Sequence, residues 1–158
     1  MLTKHARLVL ALTAAAPLLF AACSDHNPVT PGNVAGTYQL SLFRGLVPPV
    51  VDTYQASDAV SGFPNGGTAT WTDGTIVLGA DGTFTETNKV TLSPTGGTTQ
   101  QSAFTSVGSY RLSGNAITLT APAQNGNLAR NVTGTVTVNS VTYQESNGAG
   151  FDSYQYKR

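Results

Sequence analysis

Thr75-Ile76-Val77-Leu78-Gly79-Ala80-Asp81-Gly82-Thr83-Phe84-Thr85-Glu86-Thr87 reads as two strands joined by a tight turn. β-Branched and aromatic residues favour a pleated, half-buried backbone, and Asp-Gly supplies the hairpin turn. Two similar units follow. Ser109-Tyr110-Arg111-Leu112 and Ala116-Ile117-Thr118-Leu119-Thr120 flank Ser113-Gly114-Asn115, and Thr133–Val138 and Val141–Gln144 flank Asn139-Ser140. Upstream, Val34, Tyr38, Leu40 and Leu42 alternate with Thr37, Gln39 and Ser41, which gives one apolar face at a period of two. Phe151–Lys157 makes a last strand. Weaker strands near Val50–Gln55, Thr68–Thr72 and Gln101–Val107 bring the expected total to roughly eight to ten.

No stretch has helical periodicity, although Ser57–Ser61 has room for a single turn. The connections are short, so neighbouring strands are expected to run antiparallel. An open meander would expose two sheet edges, and closure into an up-and-down barrel removes them. A β-sandwich is the alternative, but its crossovers need longer links. Gly36-Thr37-Tyr38-Gln39-Leu40-Ser41 is echoed by Gly108-Ser109-Tyr110-Arg111-Leu112-Ser113, which shared strand grammar explains without duplication. Val47-Pro48-Pro49-Val50 is read as a turn leading into a strand.

The amino-terminal segment has a different logic. Lys4, His5 and Arg7 precede a 12-residue apolar run, Leu8–Leu19, and then Phe20-Ala21-Ala22-Cys23. The run is shorter than the roughly 20 residues that span a bilayer, and its order matches a secretory signal. Cys23 is the only cysteine, placed directly after small residues. This arrangement resembles the lipobox of bacterial lipoproteins. The resemblance implies a signal peptide over 1–22 and a Cys23 that becomes residue one and carries acyl chains of the palmitate type. It also implies an address in the cell envelope. Ser24 stands where the family often has the Asp that retains lipoproteins at the inner membrane, which points to the outer membrane of a two-membrane envelope; Asp25 follows one place later. Residues 23–33 then read as a flexible tether, because Pro28, Pro31 and Gly32 oppose regular structure. The domain is expected over 34–158.

Removing 1–22 leaves 136 residues, enough for one domain with a core. It also removes Lys4 and Arg7, leaving six Lys and Arg against eight Asp and Glu. That balance is too acidic for a nucleic-acid partner. Beyond His5 the only histidine is His26, in the tether, so the domain has neither His nor Cys. Ser-His-Asp and Cys-His nucleophiles and the usual zinc and copper sites are thereby excluded. No cofactor or metal is expected. Asp73-Gly74 and Asp81-Gly82 lack the spaced oxygen ligands of a calcium loop and are read as turns. Asn131-Val132-Thr133 matches a glycosylation acceptor that a bacterial envelope protein would leave unused.

Several of these segments together resemble bacterial lipocalin-like domains. They are Val34-Ala35-Gly36-Thr37-Tyr38-Gln39-Leu40, Leu78-Gly79-Ala80-Asp81-Gly82-Thr83-Phe84 and Gly108–Leu119. Tyr38 stands where the Gly-x-Trp signature of lipocalins has Trp. The resemblance implies a lipocalin-like barrel that binds a small hydrophobic ligand. It also implies an Arg from the final strand packed across the first-strand aromatic, a role that falls to Arg158 over Tyr38.

The candidate ligand-binding residues are Tyr38, Trp71, Phe84, Glu86, Phe104, Tyr110 and Arg130, with Tyr54, Tyr143 and Phe151 as further aromatics. An eight-stranded barrel either fills itself with such side chains or keeps a cavity, and both outcomes stay open here. Glu86 and Asn88 share parity with Phe84, Val90 and Leu92, and Arg130 shares parity with Val132 and Val136. Inward charge must be paired or hydrated. The preferred reading places Glu86 and Arg130 at a water-filled rim; a polar-headed pocket is the alternative. Catalysis by a carboxylate pair among Asp52, Asp58 and Glu86 needs a second inward acid beside Glu86, and no enzyme is expected. The expected function is a membrane-anchored binding module. The alternative is a structural or interaction lipoprotein with a filled core, such as a scaffold or a protease-inhibitor-like barrel.

Overall fold

Nine strands follow one another along the chain: β1 (Gly36–Phe43), β2 (Val50–Tyr54), β3 (Gly67–Leu78), β4 (Thr83–Pro94), β5 (Gln100–Ser113), β6 (Ala116–Ala121), β7 (Arg130–Val136), β8 (Ser140–Ser146) and β9 (Phe151–Lys157). The computed structural model describes residues 29–58, 60, 62–124, 127–147 and 150–158. The expected signal, Cys23 and the tether as far as Pro28 lie outside the described residues. Successive strands from β2 to β9 pair antiparallel, β9 pairs with β1, and β1 returns to the second half of β3. This closes an eight-stranded antiparallel barrel, and the sandwich alternative is set aside. β2 is the ninth strand; it pairs with the first half of β3, Gly67–Trp71, on the side that β1 takes further along.

Segments expected as separate strands merge into longer ones. Thr68–Thr72 and Thr75–Leu78 are both β3, joined across a bulge between Trp71 and Asp73 that lets one strand bend around the barrel. Gln101–Val107 and Ser109–Leu112 are likewise both β5. A bulge between Leu40 and Leu42 corrects the simple alternation expected of β1. It turns Phe43 inward and fully buries it, where Leu42 was expected.

The end of the tether is also corrected. Pro31–Val34 forms one helical turn, α1, with Thr30 as its N-cap accepting from the Asn33 amide. Pro31 suits this position because its fixed φ is helical and the first-turn amide it lacks needs no partner. Val34 and Val29 pack onto the barrel core, so α1 closes one pole. The other turn, Ala56–Asp58, is a 3-10 helix where Ser57–Ser61 was expected to hold one.

The closed pole gathers α1, the Asp81-Gly82 and Gly114-Asn115 hairpins, the β7–β8 turn and Arg158. Asp81 fixes its turn by accepting hydrogen bonds from the Thr83 amide and hydroxyl. Arg158 lies across the Tyr38 ring at 4.7 Å and donates to the Val34 and Ala35 carbonyls. The family resemblance implied this contact, and here it ties the chain end to α1. Tyr38, Ile76, Leu78, Phe84, Ile117, Leu119, Val136 and Val141 fill the interior behind it.

Candidate functional site

Halfway along the barrel the apolar filling gives way to a polar floor. Glu86, on β4, is 2 % exposed. Its Oε1 accepts from the Tyr143 hydroxyl at 2.5 Å, the Tyr156 hydroxyl at 2.6 Å and Asn88 Nδ2 at 2.8 Å. Its Oε2 accepts from Arg130 Nη1 at 2.6 Å. Tyr156 also donates to Asn88 Oδ1 at 3.0 Å, so the amide and both phenols are oriented by one network. A buried carboxylate survives only with such company.

The Arg130 side chain is 8 % exposed and packs over the Tyr143 ring at 5.1 Å. Burial pulls its pKa down, but Glu86, Tyr143 and Glu145 outweigh that and raise it. Burial, then the Glu86 carboxylate, pushes the hydroxyls of Tyr143 and Tyr156 well above their ordinary range. Glu145, on β8, is raised by burial and by Glu86, against the opposing pull of Arg130.

Above this floor lies a cavity of about 290 Å³. Trp71, Phe104, Leu128 and Tyr154 provide apolar walls, while Ser106, Asn127 and Glu145 add polar groups. Trp71 and Tyr154 are held firmly, while Phe104 and Leu128, 44 % and 87 % exposed, stand at the open mouth. Tyr154 stacks on Tyr143 at 4.9 Å, and Phe43 bridges Trp71 and Tyr154 at 4.4 and 5.1 Å. Trp71 Nε1 donates to Asp52, whose carboxylate pairs with Arg44 at 2.5 Å; Arg44 also pairs with Asp152 at 2.5 Å. A second small cluster, Phe63 with Ala69 and Val90, seats the β2–β3 loop over the extended ends of β3 and β4.

Of the sequence-read candidates, the structure brings Trp71, Glu86, Phe104 and Arg130 together around the cavity. Tyr38, Phe84 and Tyr110 belong to the packed half instead. Tyr38 donates to the Val34 carbonyl and Tyr110 to the Gly79 carbonyl, so their hydroxyls serve the closed pole. Phe151 is 70 % exposed. The rim placement preferred for Glu86 and Arg130 is overturned: both side chains are buried, because each supplies the other's counter-charge across the barrel. Leu128, Glu145, Tyr154 and Asn127 were missed. Tyr154 and Tyr156 share inward parity on β9, a period-two signal available in the sequence; Leu128 and Asn127 come from a loop and gave none. Asp52 is committed to Arg44, so the acid facing Glu86 across Arg130 is Glu145. Among the described residues no group of acids is arranged to hold a metal ion. Compared with protein-family models, with curated proteins and with solved structures, the chain matches none.

Proposed function

We propose that this barrel is the binding module of an envelope lipoprotein of lipocalin-like type, anchored through lipid on Cys23, and that its open half is a cup for a small, largely hydrophobic molecule. The observation that carries this reading is the asymmetry of the interior. One half is filled by side chains, while the other keeps a 290 Å³ cavity with aromatic walls above the Glu86–Arg130 floor. Small-molecule sites combine apolar walls with fixed polar groups, and this cup, lined about equally by both, suits a molecule with an apolar and a polar end. The volume, about 290 Å³, lies just below the roughly 300–1,000 Å³ range for such sites, which restricts the cup to a small molecule. The tether enters beside α1 at the closed pole, so an anchor on Cys23 would leave the mouth facing away from the membrane. An outer-membrane address accords with Ser24 following the cysteine.

Trp71 is the only tryptophan and lines both the cup and the neighbouring hollow beside Asp52 and Asp152, so its fluorescence reports on this end of the barrel. Native mass spectrometry of protein purified from its own membranes is expected to show a retained small molecule. Fatty acids or sterols are expected to change Trp71 emission saturably. An empty spectrum with no fluorescence response removes the binding reading. Cys23→Ser is expected to release a folded, soluble barrel; retention in the membrane would disprove the anchor.

A second reading, an interaction module, draws on a different observation. Leu46, Val47, Leu128 and Phe151 are 59 %, 72 %, 87 % and 70 % exposed, all on loops or strand ends of the open pole. Exposed apolar groups collected at one end suit a protein partner. That reading predicts an empty cup and loss of the partner when Val47 and Phe151 become serine.

A further inference from the structure

Glu86 offers nothing to a ligand, since both of its oxygens are already engaged by the protein. Arg130 is the opposite case. Nη1 is spent on Glu86, while Nε and Nη2 are buried without any hydrogen-bond acceptor among the described residues. These two nitrogens form one edge of the guanidinium, and their parallel N–H groups match the two oxygens of a carboxylate. Leaving such donors buried and unmatched costs free energy that a bound acceptor would recover. Glu145 Oε2 lies 3.1 Å from Nη2, outside hydrogen-bond alignment, on a side chain one-third exposed. It lies against Nη2 without satisfying it, and it has water to withdraw into.

We propose that the cup takes a small amphipathic monocarboxylate, head group on the Nε–Nη2 edge of Arg130 in place of Glu145 and apolar part against Trp71, Phe104 and Leu128; this rests on the barrel being a binding cup. A head of higher charge is disfavoured, because one guanidinium already faces two protein carboxylates. Glu145 is then an internal competitor that keeps the site selective and reversible.

Octanoate, octanol and octylamine share one chain and differ only in the head. Titrated into the intact protein by calorimetry and Trp71 fluorescence, octanoate is expected to bind about tenfold tighter than octanol, a difference near 1.4 kcal/mol. Arg130→Lys keeps a charge for Glu86 but lacks the two-pronged edge; it is expected to abolish the octanoate preference over octanol. Glu145→Gln is expected to tighten octanoate severalfold. Octanol or octylamine binding as tightly as octanoate overturns the head-group assignment and leaves the cup standing. The same holds for a preference that survives Arg130→Lys. If Arg130→Lys does not fold, unchanged octanoate affinity in Glu145→Gln overturns the assignment alone. No binding of any of the three probes overturns the cup and the head group together.

Discussion

Glu86 is the residue on which the middle of the barrel depends. Charge in a low-dielectric interior is tolerated when it is paired and fully hydrogen-bonded, and removing one partner strands the other. Arg130→Met is therefore expected to cost about 3–5 kcal/mol, because the Glu86 carboxylate stays buried without its counter-charge. Tyr156→Phe removes one hydroxyl donor from the same network and is expected to cost about 1–3 kcal/mol. Urea midpoints at constant m-value measure both. A loss under about 1 kcal/mol for Arg130→Met would mean that the pair does not hold this region together. Parity in the sequence placed both residues on inward faces. Their meeting depends on closure and strand stagger between β4 and β7, 44 positions apart, and local pattern carries no such information.

At the scale of elements, the hairpins were the most legible feature, since turn chemistry and alternation are local properties. Asp81-Gly82, Gly114-Asn115 and the β7–β8 turn lie where their residues placed them. The bulges in β1 and β3 were not legible, because a bulge is a response to curvature and only appears once the sheet closes. The cavity was half legible for the same reason. Inward strand residues such as Trp71 and Phe104 were found, while the loop residues Asn127 and Leu128 were not. The junction of β1 with α1 gives the test at this scale. Gly36 has φ of +147°, and a Cβ there would meet the Arg158 guanidinium. Gly114 has φ of +57° but open space around it. Gly114→Ala should pay only the backbone cost, about 1 kcal/mol. Gly36→Ala should pay about 1–3 kcal/mol for its conformation and also displace the Arg158–Tyr38 contact. Thermal unfolding is expected to show the larger fall for Gly36→Ala; equal falls would mean that Arg158 contributes nothing to closing the pole.

The whole molecule places half of its tyrosines on one inward column. Tyr143, Tyr154 and Tyr156 stack at centroid distances of 4.9 to 6.4 Å, linking the packed half, the polar floor and the cavity wall. Burial raises all three pKa values above 10.0, with Glu86 the next cause for Tyr143 and Tyr156 and Asp152 for Tyr154. The folded barrel thus retains protons that the unfolded chain releases near pH 10. Stability from this source is complete below that pH and is lost as pH rises toward the folded values. Each tyrosine contributes a slope of about 1.4 kcal/mol per pH unit, so the three together contribute about 4 kcal/mol per unit. Against a typical total of about 5–15 kcal/mol, one to a few units above pH 10 should unfold the barrel cooperatively. Tyrosinate absorbance near 295 nm should then rise in two stages. Tyr38, Tyr54 and Tyr110, raised less far and also by burial, ionise first, and the buried column ionises only as the far-ultraviolet circular dichroism collapses. Tyr156→Phe should make that collapse less steep by one tyrosine's share, since it removes one titrating group from the column. Full ionisation of all six near pH 10 with the sheet signal intact would show that water already reaches the column, and a dry polar floor beneath the cup could not then be maintained.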